Sequence, residues 1–206
     1  MKYRALTVSR EFGSGGGRIA NTIAGWLGWK LLDGDIITAI ARRGHVDSHV
    51  VSHYDERVDS WLRRINEQAV RGVAMASGQP LGENDIFDAH VMTELTRTII
   101  EEAYASGECV IVGRGAQCIL ENRADVFHLF VYAPFQERIR RLKKRLPRGI
   151  SIEHRIRTVD EERAKYLQQR FGKNWCNPHL YDLMISSHED EDSTARVVLQ
   201  AMTDQP

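Results

Sequence analysis

Cysteine is scarce in this chain of 206 residues, with three at positions 109, 118 and 176. They are too few and too scattered for a disulfide framework or a paired-cysteine zinc site, which fits a reducing compartment and ordinary thiols. Net charge is lacking as well, because 28 Lys and Arg balance 28 Asp and Glu. No overall positive field therefore draws the chain to a nucleic acid polymer or a membrane surface, and any anion site must be local. No stretch approaches the roughly 20 apolar residues of a membrane span. The opening MKYRALTVSREFG holds only a short apolar run and no small-residue cleavage site, so the expected location is the cytoplasm. Internal repeats and low-complexity segments are missing too. What remains is a length that suits one α/β domain with an appended lid or insertion and a proper core.

Strand and helix patterns alternate along that length. Tyr3 to Val8 reads as a buried strand, and RIANTIAGWLG places Ile19, Ile23, Trp26 and Leu27 on one helical stripe ended by Gly28. WKLLDG reads as a second strand ending on Asp33, followed by a helix from about residue 35 to 43. From Val46 to Gly82 the chain turns polar and helical, with Trp61 among its spaced apolar positions, and reads as an insertion. A helix over about 86–105, a strand at Cys109 to Val112, a strand in VFHLFVYAP, a basic helix after Pro134, and a helix from Ser151 follow. Ser151 is placed to cap that helix. A last strand at Leu183 to Ser186 and a closing helix complete the pattern. Strands alternating with helices predict a mainly parallel sheet covered on both faces, because parallel neighbours need crossover connections.

Between the first strand and the first helix lies TVSREFGSGGGRIA, a glycine-dense turn without a lysine. Aligned on G-x-x-x-x-G-K-[ST], Arg10 takes the first glycine position, Gly15 the last, Gly16 the lysine, and Gly17 the magnesium-binding hydroxyl. Backbone amides in such a turn, with the positive end of the next helix, can hold a phosphate without an ammonium group. Arg10 before the turn and Arg18 after it can each supply charge through a bidentate contact. The alternative is a plain glycine turn with two solvated arginines.

Other charged positions carry similar pairs of readings. Asp33, at a strand end, can orient a ribose or hydroxyl or cap the next helix, and Arg114 in VGRG can hold a substrate phosphate or be a surface arginine. The run Arg138, Arg140, Arg141, Lys143, Lys144 and Arg145 is a solvated helix face or an anion-binding lid. In RIRTVDEERAKY, Arg157, Asp160, Arg163 and Tyr166 recur every three residues, which predicts one shared face with Asp160 pairing Arg163. His45, His49 and His53 fall four apart, a spacing for metal ligands, but no carboxylate pattern supports it and structural or solvated histidines are expected. Trp61, Trp175 and Tyr181 are expected to pack rather than stack on a base. The third strand ends in Gly113 and presents no acid for a metal.

With SREFGSGGGRIA, LLDGDII, VIVGRGA, VYAP…RI and DEERAKY…NWCNPHLYDLMISS laid out, the chain resembles the cytidylate kinase-like family along nearly its whole length. The lysine-less loop is characteristic of that branch of the nucleoside monophosphate kinases. The resemblance implies a P-loop kinase three-layer α/β/α sandwich with a mainly parallel five-stranded sheet. It divides one domain into a core at about 1–45, 84–137 and 180–206, a helical acceptor-binding insertion at about 46–83, and a lid at about 138–179. It implies ATP and Mg2+ as cofactors, with the loop residues Arg10, Gly13, Ser14, Gly15, Gly16, Gly17 and Arg18 around the donor phosphates. Asp33 and Arg114 fall where the acceptor binds, and the lid arginine is carried to Arg163, with Arg157 as a second candidate and Arg18 beside the reacting phosphate. The expected activity is ATP-dependent phosphoryl transfer to a nucleoside monophosphate or related small acceptor by a monomer or weak homodimer. The loss of lysine and hydroxyl leaves a second expectation, a nucleotide-binding sensor or pseudokinase without turnover. An interaction module without ligands is the third.

Overall fold

The computed structural model describes residues 2–34, 89–147, 149–187 and 190–203. Five parallel strands form one sheet: β1 (Ala5–Arg10), β2 (Lys30–Leu32), β3 (Cys109–Val112), β4 (Val126–Tyr132) and β5 (Leu183–Ser186). Their order is β2-β3-β1-β4-β5, so β1 lies at the centre. The helices described are α1 (Gly16–Leu27), α2 (Ala89–Ser106), α3 (Ala116–Ile119), α4 (Phe135–Lys143), α5 (Ile152–Phe171) and α6 (Glu191–Thr203). The predicted α/β class and its five parallel strands are thus present. The predicted helix at 35–43, the insertion, the three spaced histidines and Trp61 lie outside the described residues.

Side-chain alternation in the strands separates two cores. Leu6, Val8, Val110, Val112, Phe127, Leu129 and Val131 face α1 and α6, meeting Ile19, Ile23, Ala195, Val198 and Met202. On the other face Phe130 packs with Leu167 of α5, Trp175 and Leu180. Trp175 and Tyr181 stand 5.3 and 5.0 Å from the Phe130 ring, the packing role expected of them. Both faces of β1 are covered, which explains why its sequence is nearly continuous in apolar and small residues.

The first helix departs from expectation at Trp26. The buried stripe is centred on Ile19, Ala20, Ile23 and Ala24, whereas Trp26 is 47% exposed with the Arg196 guanidinium 5.8 Å from its ring. Ala20 and Ala24 are buried on the sheet side, where their small side chains leave α1 room to lie close to the strands, and this shifts the stripe away from the indole. Ser151 does stand at the N-cap of α5, but its hydroxyl makes no capping hydrogen bond.

Register positions the crevice. β1 pairs with β3 only as far as Val8, opposite Val112, but with β4 as far as Arg10, opposite Val131. The last two residues of β1 therefore run on past the end of β3. Beyond the carboxyl ends of the strands is where open α/β sheets hold their ligands.

Candidate active site

The loop leaves β1 with the Glu11 amide donating to Val131 O at 3.0 Å, and enters α1 through Gly15, which is left-handed at φ 86°. Three alternate carbonyls of this segment accept hydrogen bonds from guanidinium groups. Arg163 Nη1 donates to Arg10 O at 2.7 Å, Arg138 Nη1 to Phe12 O at 3.3 Å, and Arg141 Nη1 to Ser14 O at 2.6 Å. The Ser187 hydroxyl donates to the same Ser14 carbonyl. On the opposite polarity, Asp160 Oδ1 accepts from the Phe12 amide at 2.8 Å.

This arrangement has an electrostatic consequence. The carbonyl dipoles of the loop are engaged by α4 and α5, and their negative ends are neutralised there. Among the described residues, the amides of Gly13, Gly15 and Gly17 have no hydrogen-bond partner. With the positive end of the α1 dipole, where Gly17 is the second residue, they form a concavity suited to an anion. Ser14 is buried beneath this loop, its Oγ 3.3 Å from the Gly16 amide, so it braces the turn from within.

The loop forms one wall of a cavity of about 560 Å³, whose other lining includes Asn21, Asp33, Arg145 and Arg163. A second lobe of about 490 Å³ is lined by Arg10, Arg114, Arg155, Glu162, Arg163 and Tyr166, among others. Arg10, Phe12, Gly34 and Arg163 belong to both. The two lobes thus meet at the end of β1. Arg114, itself at φ 57°, directs Nε to Gly34 O at 3.3 Å, joining the turn after β3 to that after β2. Burial lowers the Arg163 guanidinium from its ordinary value, while the Asp160 carboxylate works against that shift.

Most of the residues singled out in the sequence converge here. Arg10, Gly13, Gly15, Gly16, Gly17, Arg18, Asp33 and Arg163 line the first lobe, and Arg10, Arg114 and Arg163 the second. Arg18 also reaches outward, with Nη2 2.8 Å from Glu191 Oε1 and its side chain 57% exposed.

Arg157 lies elsewhere, with its guanidinium 5.3 Å from the Phe135 ring. The predicted shared face fails because a helix turns about 100° per residue, so three steps of three residues carry the chain roughly 180° from its start. The face that reaches the second lobe runs instead through Arg155, Val159, Glu162, Arg163 and Tyr166. Spacings of three and four, rather than three alone, mark it in the sequence. Asp160 likewise pairs with Arg138, at 2.5 Å, and with the Phe12 amide rather than with Arg163.

The basic run is not a solvated face as a whole. Arg138 is buried between Asp160 and Glu11, and Arg141 is held by Glu137 and Ser187. Arg145 lines the cavity, and Arg140 is exposed. Sequence reasoning missed the roles of Arg138 and Arg141 because six basic residues in eight positions carry no local mark of which ones meet a carbonyl.

A parallel 2-3-1-4-5 sheet with a glycine loop joining its central strand to a helix is the P-loop kinase fold. The chain belongs to the cytidylate kinase-like family, whose model matches residues 5–189. Among solved structures, an uncharacterized protein from Eubacterium ventriosum is 16% identical with a TM-score of 0.67, covering 98% of this chain and 99% of that one. Shikimate kinase from Bacteroides thetaiotaomicron is 15% identical with a TM-score of 0.52, covering 98% of both chains. A gluconokinase from Sinorhizobium meliloti is 15% identical with a TM-score of 0.50, covering 96% of this chain and 90% of that one. These likenesses concern the fold. A search among curated proteins found no match.

Proposed function

We propose that this protein transfers the γ-phosphoryl group of ATP to a nucleoside monophosphate or a related small anionic acceptor. The observation that carries the reading is the pair of lobes meeting at Arg10, Phe12 and Arg163, one walled by the glycine loop and the other by four arginines against one glutamate. The loop amides take the donor phosphates, with Arg10 and Arg18 as their charged partners and Asp33 and Arg114 on the acceptor side. The excess of guanidinium groups in the second lobe favours an acceptor that is itself an anion over a neutral polyol. Residues 46–83 supply the acceptor-binding element in this reading and residues 138–179 the lid.

In the reaction an acceptor oxygen attacks the γ-phosphorus in line, the bond from that phosphorus to the β-bridging oxygen breaks, and ADP leaves with the electron pair. Arg163, at the junction, is placed to stabilise charge that spreads over the transferring group. Among the described residues no group of three or more His, Cys, Asp or Glu is arranged to hold a metal. Magnesium would enter as a companion of the nucleotide, and Asp33, which lines the cavity, is the acid that would help to hold it. There it would supply positive charge to offset that of the donor phosphates.

The test is ADP formation with magnesium, ATP and a panel of nucleoside monophosphates and small acids, with labelled product identified. Turnover with at least one anionic acceptor is expected, and Arg163→Gln should lower kcat by about 10²- to 10³-fold with a smaller change in ATP affinity. A folded protein that transfers label to nothing in the panel overturns the kinase reading. Saturable ATP binding without transfer assigns the second reading, a nucleotide sensor, which is favoured by one observation: Arg138, Arg141 and Arg163 are all engaged on loop carbonyls.

A further inference from the structure

The loop departs from the lysine-bearing pattern at both of its ends, with arginine for the first glycine at position 10 and glycine for lysine at position 16. In space these two departures are one. A β-carbon built on Gly16 would lie 2.6 Å from Arg10 Cβ and 3.2 Å from Arg10 Cγ, with Val131 Cβ also at 3.2 Å. Side chains at 10 and 16 therefore compete for the same volume, and the arginine excludes the lysine by its stem alone.

The far end of the arginine is confined in the same way. A β-carbon on Gly113, at φ 80°, would overlap Arg10 Nη1 and lie 3.3 Å from Cζ. The guanidinium thus sits between the glycine loop and the turn after β3, where both lobes of the cavity include Arg10. Its path is open because β1 runs two residues beyond its pairing with β3. Two glycines, one at each end of the side chain, fit the protein to an arginine at position 10.

We propose that Arg10 is the loop's resident cation and does the work of the missing lysine: glycine and cation have exchanged places between positions 10 and 16. Charge at the donor phosphates is conserved, delivered from the strand end instead of the helix start. Arg18, on the exposed side of α1 beside Glu191, adds a second charge to the same cavity from outside the exchanged pair. The inference rests on the reading of this cavity as a nucleotide site.

Reversal of the exchange tests it. Magnesium and ATPγS are titrated by calorimetry into the full chain carrying Arg10→Gln, Arg10→Gly, Gly16→Lys, or Arg10→Gly with Gly16→Lys, with thermal melts for each. Arg10→Gln keeps the Cβ–Cγ stem against Gly16 and removes the guanidinium, so affinity should fall about 10- to 100-fold with little change in melting. Gly16→Lys alone should lose binding or folding, because the two stems collide. The double variant, which restores glycine at 10 and lysine at 16, should bind at least tenfold better than Arg10→Gly, reckoned as an order of magnitude for one charge-assisted contact. Wild-type affinity in Arg10→Gln, or a folded double variant no better than Arg10→Gly, overturns the exchange while leaving the nucleotide reading intact. Should the double variant not fold, Arg10→Gln alone decides. Absence of ATPγS binding by the unmodified chain removes the nucleotide reading itself, and this inference with it.

Discussion

A β-carbon built on Gly17 meets no atom within 4 Å, in contrast to those on Gly15 and Gly16, which run into Glu191 and Arg10. Gly17 is the second residue of α1, where its backbone freedom serves no visible packing need. Gly17→Ala should therefore raise stability by about 0.5 kcal/mol, through a smaller loss of chain entropy on folding. The added methyl group enters the cavity wall, so nucleotide affinity should decline in the same variant. Denaturation midpoints and a nucleotide titration check both halves. A stabilised variant with unchanged affinity would show that Gly17 stands clear of the ligand. Single residues of this kind were legible in the sequence where a local rule applied. The glycine turn between a strand and a helix marked the loop, and the strand ends marked Asp33 and Arg114. Arg157 was misread because a period of three imitates a helical face for one step and abandons it by the third.

At the scale of elements, α4 and α5 are tied to the loop by a small charged network. Asp160 on α5 takes the Phe12 amide and the Arg138 guanidinium, while Glu11 lies 3.6 Å from Arg138 and accepts from the Ala133 amide. Arg138 is 8% exposed, so loss of Asp160 leaves a buried charge whose remaining carboxylate among the described residues, Glu11, lies 3.6 Å away. Asp160→Ala is expected to cost about 3 kcal/mol in chemical denaturation, the lower end of the range for breaking a buried pair. Its effect on turnover should fall on kcat as well as KM, since Phe12 lines both lobes. A loss below about 0.5 kcal/mol, the scale of a surface pair, would mean that the network is solvated in solution. The helices themselves were legible, one as the basic segment after Pro134 and the other from Ser151 onward. Their docking was not, because a carbonyl of a glycine loop offers no sequence signature and any of several neighbouring arginines can reach it.

For the molecule as a whole, the sheet carries a titratable group in its middle. His128 Nδ1 lies 2.7 Å from Thr7 Oγ1, joining β4 to β1, and the His128 amide donates to Asp182 at 2.6 Å. Burial pushes this imidazole below its ordinary value, with the Asp182 and Glu121 carboxylates partly opposing. The native state therefore takes up this proton at lower pH than the unfolded chain, which does so near the usual value of about 6.5. Below that pH the unfolded state binds more protons, so stability should fall as pH drops from about 7 to about 5. Urea midpoints across this range should show a shallower decline in His128→Gln. An unchanged slope would place the acid sensitivity on other groups. By itself the sequence determined the alternation of strands and helices, the parallel sheet that alternation requires, and a glycine turn poised for an anion, because periodicity and turn chemistry are set within a few residues. Only the tertiary structure decided that Arg10 fills the space of residue 16, that Arg138, Arg141 and Arg163 grip the loop, and that Arg155 rather than Arg157 faces the second lobe. Those outcomes depend on which side chains share a volume after strands and helices have packed, a relation between positions up to 153 residues apart that no local pattern encodes.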